Sequence, residues 1–264
     1  MRRALILSSH VAASSVGGSA QALVLAAMGI EPVVVPTVLF GRHPGWGKPG
    51  GGPVPREIFE GMLEGVAAQG LTFDLVLTGY FASTEQVRLA ARACKGATIV
   101  VDPIMGDTGK GLYVRPDVAE AIERELIPLA DVIAPNAWEL ERLTGVAVEN
   151  AASAVEAARR AGKPTLVSSI DCGDQIGVAY AAPEGAWLAS HPRLPSAPNG
   201  TGDLLTALFA AALLEDLTPA ERLRRAVGGV ASVVEAANKG SLAELPIVGA
   251  ALRDGAAIRV EKIA

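Results

Sequence analysis

Short runs rich in Val, Ile and Leu alternate along this chain with longer alanine-rich segments, and no other feature constrains the fold as much. ALILSS precedes GGSAQALVLAAMG, PVVVPTVLF precedes PREIFEGMLEGVAAQG, FDLVLTG precedes STEQVRLAARAC, and the rhythm continues through TIVVDP, DVIAPN and PTLVSSI. The runs are continuously apolar rather than alternating, as in strands buried on both faces, and the segments between them have helical length. This pattern predicts an α/β fold with a mostly parallel central sheet flanked by helices on both faces. In such sheets ligands gather beyond the carboxyl ends of the strands, so the residues just after each run carry the functional argument.

Composition narrows the class. The chain has 264 residues, half of them hydrophobic, enough to bury the core of one domain over residues 1–264. Its net charge is -5 and it has no long Lys/Arg run, which excludes the usual electrostatic footprint of a nucleic-acid binder. The opening MRRALILSSHVAASS breaks into serines and a histidine too soon for a signal peptide and predicts a buried first strand. No apolar run reaches the roughly 18 to 20 residues that a membrane-spanning helix needs. Cys94 and Cys172 alone give neither a disulfide framework nor a zinc-ligand spacing, in keeping with a soluble protein of a reducing cytoplasm. His10 and His191 have no partners at metal-ligand spacing. A G-x-x-x-x-G-K-S/T run is absent, which argues against a P-loop nucleotidase.

Two stretches break the rhythm. GRHPGWGKPGGGPVP, from Gly41 to Pro55, is too rich in glycine and proline to continue a strand or a helix and too long for an ordinary connection, so a mobile flap over a site is expected there. GVAYAAPEGAWLASHPRLPSAPN predicts a hairpin with an irregular exit. That exit leads into NGTGD and then LLTALFAAALL, a loop entering a helix apolar nearly all round. A helix start presents unpaired N–H groups and a positive dipole end, and Gly200 and Gly202 let the backbone approach an anion closely. Asp203 has two explanations at this point: an ordinary helix cap, or a general base for a hydroxyl attacking a phosphoryl group. Near the C-terminus, TPAERLRRAVGGVASVVEAAN predicts a packing helix with a Thr cap and Pro in its first turn.

GTGD before an apolar helix resembles the signature of the ribokinase-like kinases. Further segments resemble their pyridoxal kinase branch: SSHVAASSVGGSAQ its opening, TVLFGRHPGWGKPGG its flap, LTGYFAS its substrate-side strand end, VVDPIMGDTGKGLYV its nucleotide and metal loop, and IAPNAWELERLTG the following strand and helix. They occur in the family's order over Ser8 to Leu214. The resemblance implies ATP-dependent phosphorylation of the hydroxymethyl group of pyridoxal, pyridoxine or pyridoxamine, with ATP, Mg and a monovalent cation such as K. It implies Asp203 as the base and Gly200, Thr201 and Gly202 as an anion hole. Ser9, Thr37, His43 and Tyr80 would bind substrate, with Trp46 in the flap. Asp102, Asp107, Ala134, Glu139 and Ser168 would serve the nucleotide, and Asp102, Asp107 and Glu139 its metal ions. A homodimer is also implied.

Asn136 and Glu139 have a second explanation, since N-x-x-E at a helix start is the pattern of a capping box. The chain also departs from the family. Pro44 stands where many relatives have a flap threonine, Ser168 where some have a lysine reaching the nucleotide, and the approach to NGTGD is short. Phosphate neutralisation then falls to Mg, Lys110 or backbone donors. A kinase for hydroxymethylpyrimidine or a sugar, and a ligand-binding protein without turnover on the same scaffold, are the competing readings.

Overall fold

The computed structural model describes residues 1–253 and 255–264. In chain order the described elements are β1 (Arg3–Val11), α1 (Gly17–Ala27), β2 (Glu31–Phe40), β3 (Gly51–Pro53), α2 (Arg56–Ala68), β4 (Leu75–Thr78), α3 (Thr84–Ala93) and β5 (Thr98–Val101). There follow a small hairpin of β6 (Gly106–Asp107) and β7 (Gly111–Leu112), α4 (Pro116–Ala121), β8 (Val132–Ile133), α5 (Ala137–Thr144) and α6 (Ala151–Ala161). The chain closes with β9 (Thr165–Cys172), β10 (Gln175–Ala182), β11 (Gly185–Pro192), α7 (Thr201–Leu213), α8 (Pro219–Lys239) and β12 (Arg259–Lys262).

One ten-stranded sheet runs β12-β11-β10-β9-β8-β5-β4-β1-β2-β3. Its centre, from β9 through β2, is parallel, and antiparallel strands close both edges. The predicted α/β architecture with helices on both faces is present. Ala4 and Ile6 of β1 pack into a cluster with α1, α7 and α8, whereas Leu5 and Leu7 pack into another with α2, α3 and α4. This two-sided burial is why the strand sequences are apolar without alternation. Residues Leu204 to Ala212 of α7 are all buried, with Phe209 against Tyr180 at 4.8 Å between ring centroids. Burying one such ring contributes about 1.5–3 kcal/mol.

The predicted hairpin is β10–β11, whose edge position is completed by β12. Segment 41–55, where a mobile flap is expected, carries local structure of its own. His43 Nδ1 accepts the Gly45 N–H at 3.1 Å and caps a single 3₁₀ turn over Pro44–Trp46, and β3 then returns antiparallel to β2. Glycine permits that return: Gly51 has a φ of 80°, and a Cβ there would strike the Leu39 carbonyl. The strand in DVIAPN is only Val132–Ile133, because Pro135 and the helix cap at Asn136 follow at once.

Candidate active site

Strand register brings distant sequence segments to one edge. Leu7, Thr78, Val101, Ile133 and Thr165 lie side by side across β1, β4, β5, β8 and β9, so Ser8, Gly79, Asp102 and Ala134 form the next row. The chain runs outward from β1 to β2 and β3, then crosses back through α2 to β4 on the other side of β1, and this reversal of strand order opens a crevice at the carboxyl ends. The site therefore assembles from Ser9 near the end of β1, Tyr80 after β4, Asp102 after β5 and the start of α7.

The N-terminus of α7 is built around a left-handed residue. Gly200 has a φ of 94°, and a Cβ there would run into the Ser15 carbonyl, so only glycine brings the turn this close to the loop after β1. Gly200 is itself the cap, with Leu204 N bonded to its carbonyl at 2.9 Å. Asp203 sits in the first helical turn, which removes the ordinary capping explanation. Its Oδ1 is buried without a hydrogen-bond partner among the described residues. Burial pushes the carboxyl up to about 6, with the Gly17 N–H opposing the shift. Gly17 in turn lies against Ser9, since a Cβ there would meet the Ser9 hydroxyl. Ser9, Gly17 and Asp203 are thus near neighbours.

Asp102 is 6% exposed and accepts a hydrogen bond on Oδ2 from Thr206 Oγ1 at 2.7 Å, one helical turn beyond Asp203. Burial raises its carboxyl well above the usual range. The charges of Glu139 and Asp203 add to that rise, against the Thr206 hydroxyl and the Ile104 N–H. Glu139 is 2% exposed and fully engaged: Oε1 accepts Met105 N at 2.7 Å and Gly106 N at 3.2 Å, and Oε2 accepts Asn136 N at 2.9 Å. Asn136 Oδ1 accepts Glu139 N at 2.9 Å, completing the capping box that the N-x-x-E spacing allowed. Burial pushes Glu139 up to about 7, held back by those three N–H groups.

Asp107 lies in the β6–β7 hairpin, half-exposed, with Oδ1 on Thr108 N at 2.8 Å and Lys110 Nζ 4.0 Å from Oδ2. Among the described residues no three His, Cys, Asp or Glu form a ready metal cluster. Asp102, Asp107 and Glu139 therefore do not converge as a protein-only metal cage. The half-exposed Asp107 suits magnesium, which is commonly held by one or two carboxylates together with phosphate oxygens. Glu139 suits it poorly, because both its oxygens already serve the backbone.

On the other wall, Thr37 is fully buried and its hydroxyl donates to Tyr80 O at 2.6 Å, so it braces the pocket rather than offering a free donor. Burial of the half-buried Tyr80 ring raises its phenol. Gln86, which sequence reasoning passed over, donates to Thr37 O at 2.8 Å and Val54 O at 2.9 Å while accepting Ala82 N at 3.0 Å. Its amide ties β2, the entry to α2 and the loop after β4 together. Only its place in the first turn after Ser83 distinguished it in the sequence. His43 meets Asn199 Nδ2 at 3.4 Å, joining segment 41–55 to the approach to α7. Partial burial lowers its imidazole, with Glu244 opposing and Lys110 assisting. Trp46 is 49% exposed.

Just after β8 and within β9, Ala134 N bonds Val101 O at 2.8 Å and Ser168 N bonds Pro135 O at 3.1 Å, so both residues are fixed through their backbones. Ser169, next to Ser168, has a φ of 62° where the β9–β10 register shifts. His10 faces Ser19 Oγ at 3.0 Å, and neither it nor His191 joins a metal group among the described residues. No helix among the described residues is long and apolar enough to cross a membrane.

A mostly parallel central sheet flanked by helices, with a ligand crevice at its carboxyl ends, is the architecture of the ribokinase-like kinases. The family model described as phosphomethylpyrimidine kinase matches residues 15–245. The pyridoxal kinase PdxY of Rubrobacter xylanophilus is 34% identical, covering 93% of this chain and 91% of its own. The pyridoxine/pyridoxal/pyridoxamine kinase of Bordetella avium is 37% identical over 78% of this chain and 75% of its own. Among solved structures, the pyridoxal kinase of Entamoeba histolytica superposes with a TM-score of 0.91 at 26% identity over the whole of both chains. That of Leishmania donovani in complex with ADP and pyridoxamine gives the same values. The chain belongs to the phosphomethylpyrimidine kinase family, in its pyridoxal kinase branch.

Proposed function

We propose that this chain transfers the γ-phosphoryl group of ATP to the hydroxymethyl group of pyridoxal or of pyridoxine or pyridoxamine, giving the 5'-phosphate and ADP. The buried, unpartnered Oδ1 of Asp203 carries this reading, because a carboxylate with a free oxygen and a pKa of about 6 is suited to accept a proton near neutrality. The substrate oxygen attacks the γ-phosphorus, its proton passes to Asp203, and the bond from that phosphorus to the β–γ bridging oxygen breaks. The N–H groups of Gly200, Thr201 and Gly202 stabilise charge on the transferred group. Ser9 and Tyr80 contact the pyridine ring, His43 and Trp46 cover it, and Thr37 holds Tyr80 in place. Ala134 and Ser168 border the nucleotide.

Asp107 would hold magnesium together with the phosphate oxygens, the ion neutralising their charge. Lys110 adds a second positive charge in place of the lysine that Ser168 replaces. A monovalent cation such as potassium near Asp102 would offset the negative charge that Asp102, Glu139 and Asp203 concentrate there. A homodimer belongs to this reading, and the groove of about 740 Å³ along α1 and β2, lined by Leu23 and Val34 together with Ser14, Ser15 and Glu244, is a candidate face for it. The cytoplasm, where ATP is available, is the compartment this reading implies.

The test is ADP release with ATP, magnesium and potassium, with the three vitamers, hydroxymethylpyrimidine and a small sugar panel as acceptors. Turnover of a vitamer, lost in Asp203→Asn, supports substrate and base together. Turnover of hydroxymethylpyrimidine alone would replace the substrate and keep the chemistry. Ligand binding without turnover would leave a binding protein.

A further inference from the structure

We infer that Glu139 is a positioning residue, a backbone clamp that fixes the loop between β5 and β6, instead of a group turned toward a metal-bound water. Three observations carry this. First, its two carboxylate oxygens take up three backbone N–H groups from two chain segments, Met105 and Gly106 on one side and Asn136 on the other. Second, Asn136 Nδ2 donates to Gly106 O at 2.8 Å, so the cap of α5 grips both polar groups of the Gly106 peptide backbone. Third, the clamped residues follow Ile104, a β-branched residue with a φ of 40°, a conformation that surrounding structure must enforce.

Trp138, the second residue of α5, completes the grip. A Cβ on Gly106 would run into its ring and into the Gly111 carbonyl, so Gly106 is pressed between helix and hairpin. Asp102 and Asp107 stand at the two ends of the clamped loop. Releasing Met105 and Gly106 would let Ile104 relax and shift both carboxylates relative to Asp203. A misplacement of about 1 Å at a reacting centre is enough to lower the rate about a hundredfold. The catalytic half of this inference rests on the kinase reading above, whereas the clamp itself does not.

Amide exchange of Met105, Gly106 and Asn136 in the full chain, without magnesium or nucleotide, tests the clamp. It is measured for wild type, Glu139→Gln and Glu139→Ala alongside kcat and KM for pyridoxal at saturating magnesium. Glu139→Gln keeps one acceptor oxygen, so exchange is expected to speed about tenfold or more on one side of the clamp, and in Glu139→Ala on both. kcat should fall at least about tenfold while KM for pyridoxal stays within about threefold, the split expected when positioning rather than binding is lost. Exchange within about twofold of wild type in both variants overturns the clamp. Faster exchange with unchanged kcat overturns its catalytic consequence. If Glu139→Ala does not fold, the near-isosteric glutamine variant decides alone. If the wild type phosphorylates no vitamer, the kinase reading fails while the exchange data still judge the clamp.

Discussion

Two helices of this protein begin with the same local arrangement, an acidic side chain three residues after the cap, and they use it in opposite ways. In α5 the cap is Asn136 and the acid Glu139, and every oxygen of that carboxylate is bonded to backbone. In α7 the cap is Gly200, which has no side chain to reciprocate, and Asp203 keeps a buried oxygen without a partner among the described residues. A bonded carboxylate holds structure in place, whereas an unbonded one pushed toward neutral pKa by burial is available for proton transfer. The comparison teaches that the same spacing can leave a carboxylate oxygen bonded or free, depending on the cap residue and on which distant backbone groups reach it.

The strongest way to break the comparison is Asp203→Asn, expected to lower kcat by roughly a hundredfold to ten-thousandfold in the ADP-release assay with little change in secondary structure. The same substitution should stabilise the fold. Asp203 titrates at about 6 when folded against an ordinary value of 3.8, so the folded chain binds more protons between those values. Its contribution to stability is therefore intact below about pH 4 and falls away as pH rises to about 6, by on the order of 3 kcal/mol. Removing the ionisable group should flatten that part of the pH–stability curve and raise Tm by a few degrees near neutrality in a thermal melt. For the wild type, kcat/KM should decline as pH falls below about 6, as the base becomes protonated.

Phe209→Ala probes the buried face of the same helix. It should cost about 3–5 kcal/mol in urea unfolding. Per folded molecule it should leave kcat within a few-fold, separating the packing role of α7 from the chemistry of its first turn. Thr206→Val removes the hydroxyl that Asp102 accepts and should cost about 1–3 kcal/mol, with a smaller loss of kcat than Asp203→Asn. Asn199→Ala loses only the 3.4 Å contact to His43 and should change stability by less than about 0.5 kcal/mol, its effect confined to KM for the alcohol.

Much of this was legible in one dimension. Continuous apolar runs separated by alanine-rich segments specify strands covered on both sides, and all of the parallel centre follows from that pattern. NGTGD located the helix start that carries Asp203, because glycine before an apolar helix has few other uses. The N-x-x-E spacing named the capping box but left its acid with two roles, and only the arrival of Met105 and Gly106 from another segment separated them. Segment 41–55 shows neither a helix nor a strand signal because of its glycines and prolines, and the positive φ at Gly51 is what lets the chain fold back on β2. Thr37 and Gln86 bond to backbone atoms of distant segments, which leave no spacing to detect.

By itself, then, the sequence determined the sheet, the buried helix and a glycine turn at a helix start with an acid behind it, since these follow from local hydrophobic pattern, glycine conformation and helix ends. The tertiary structure alone decided which acids are free. Packing of α5 and α7 against the strand ends brings Glu139 and Asp203 near Asp102, and two of the three bonds that occupy Glu139 come from residues more than 30 positions away, while Oδ1 of Asp203 has no partner among the described residues. Burial and hydrogen bonding set the reactivity of a carboxylate, and both are properties of the packed chain.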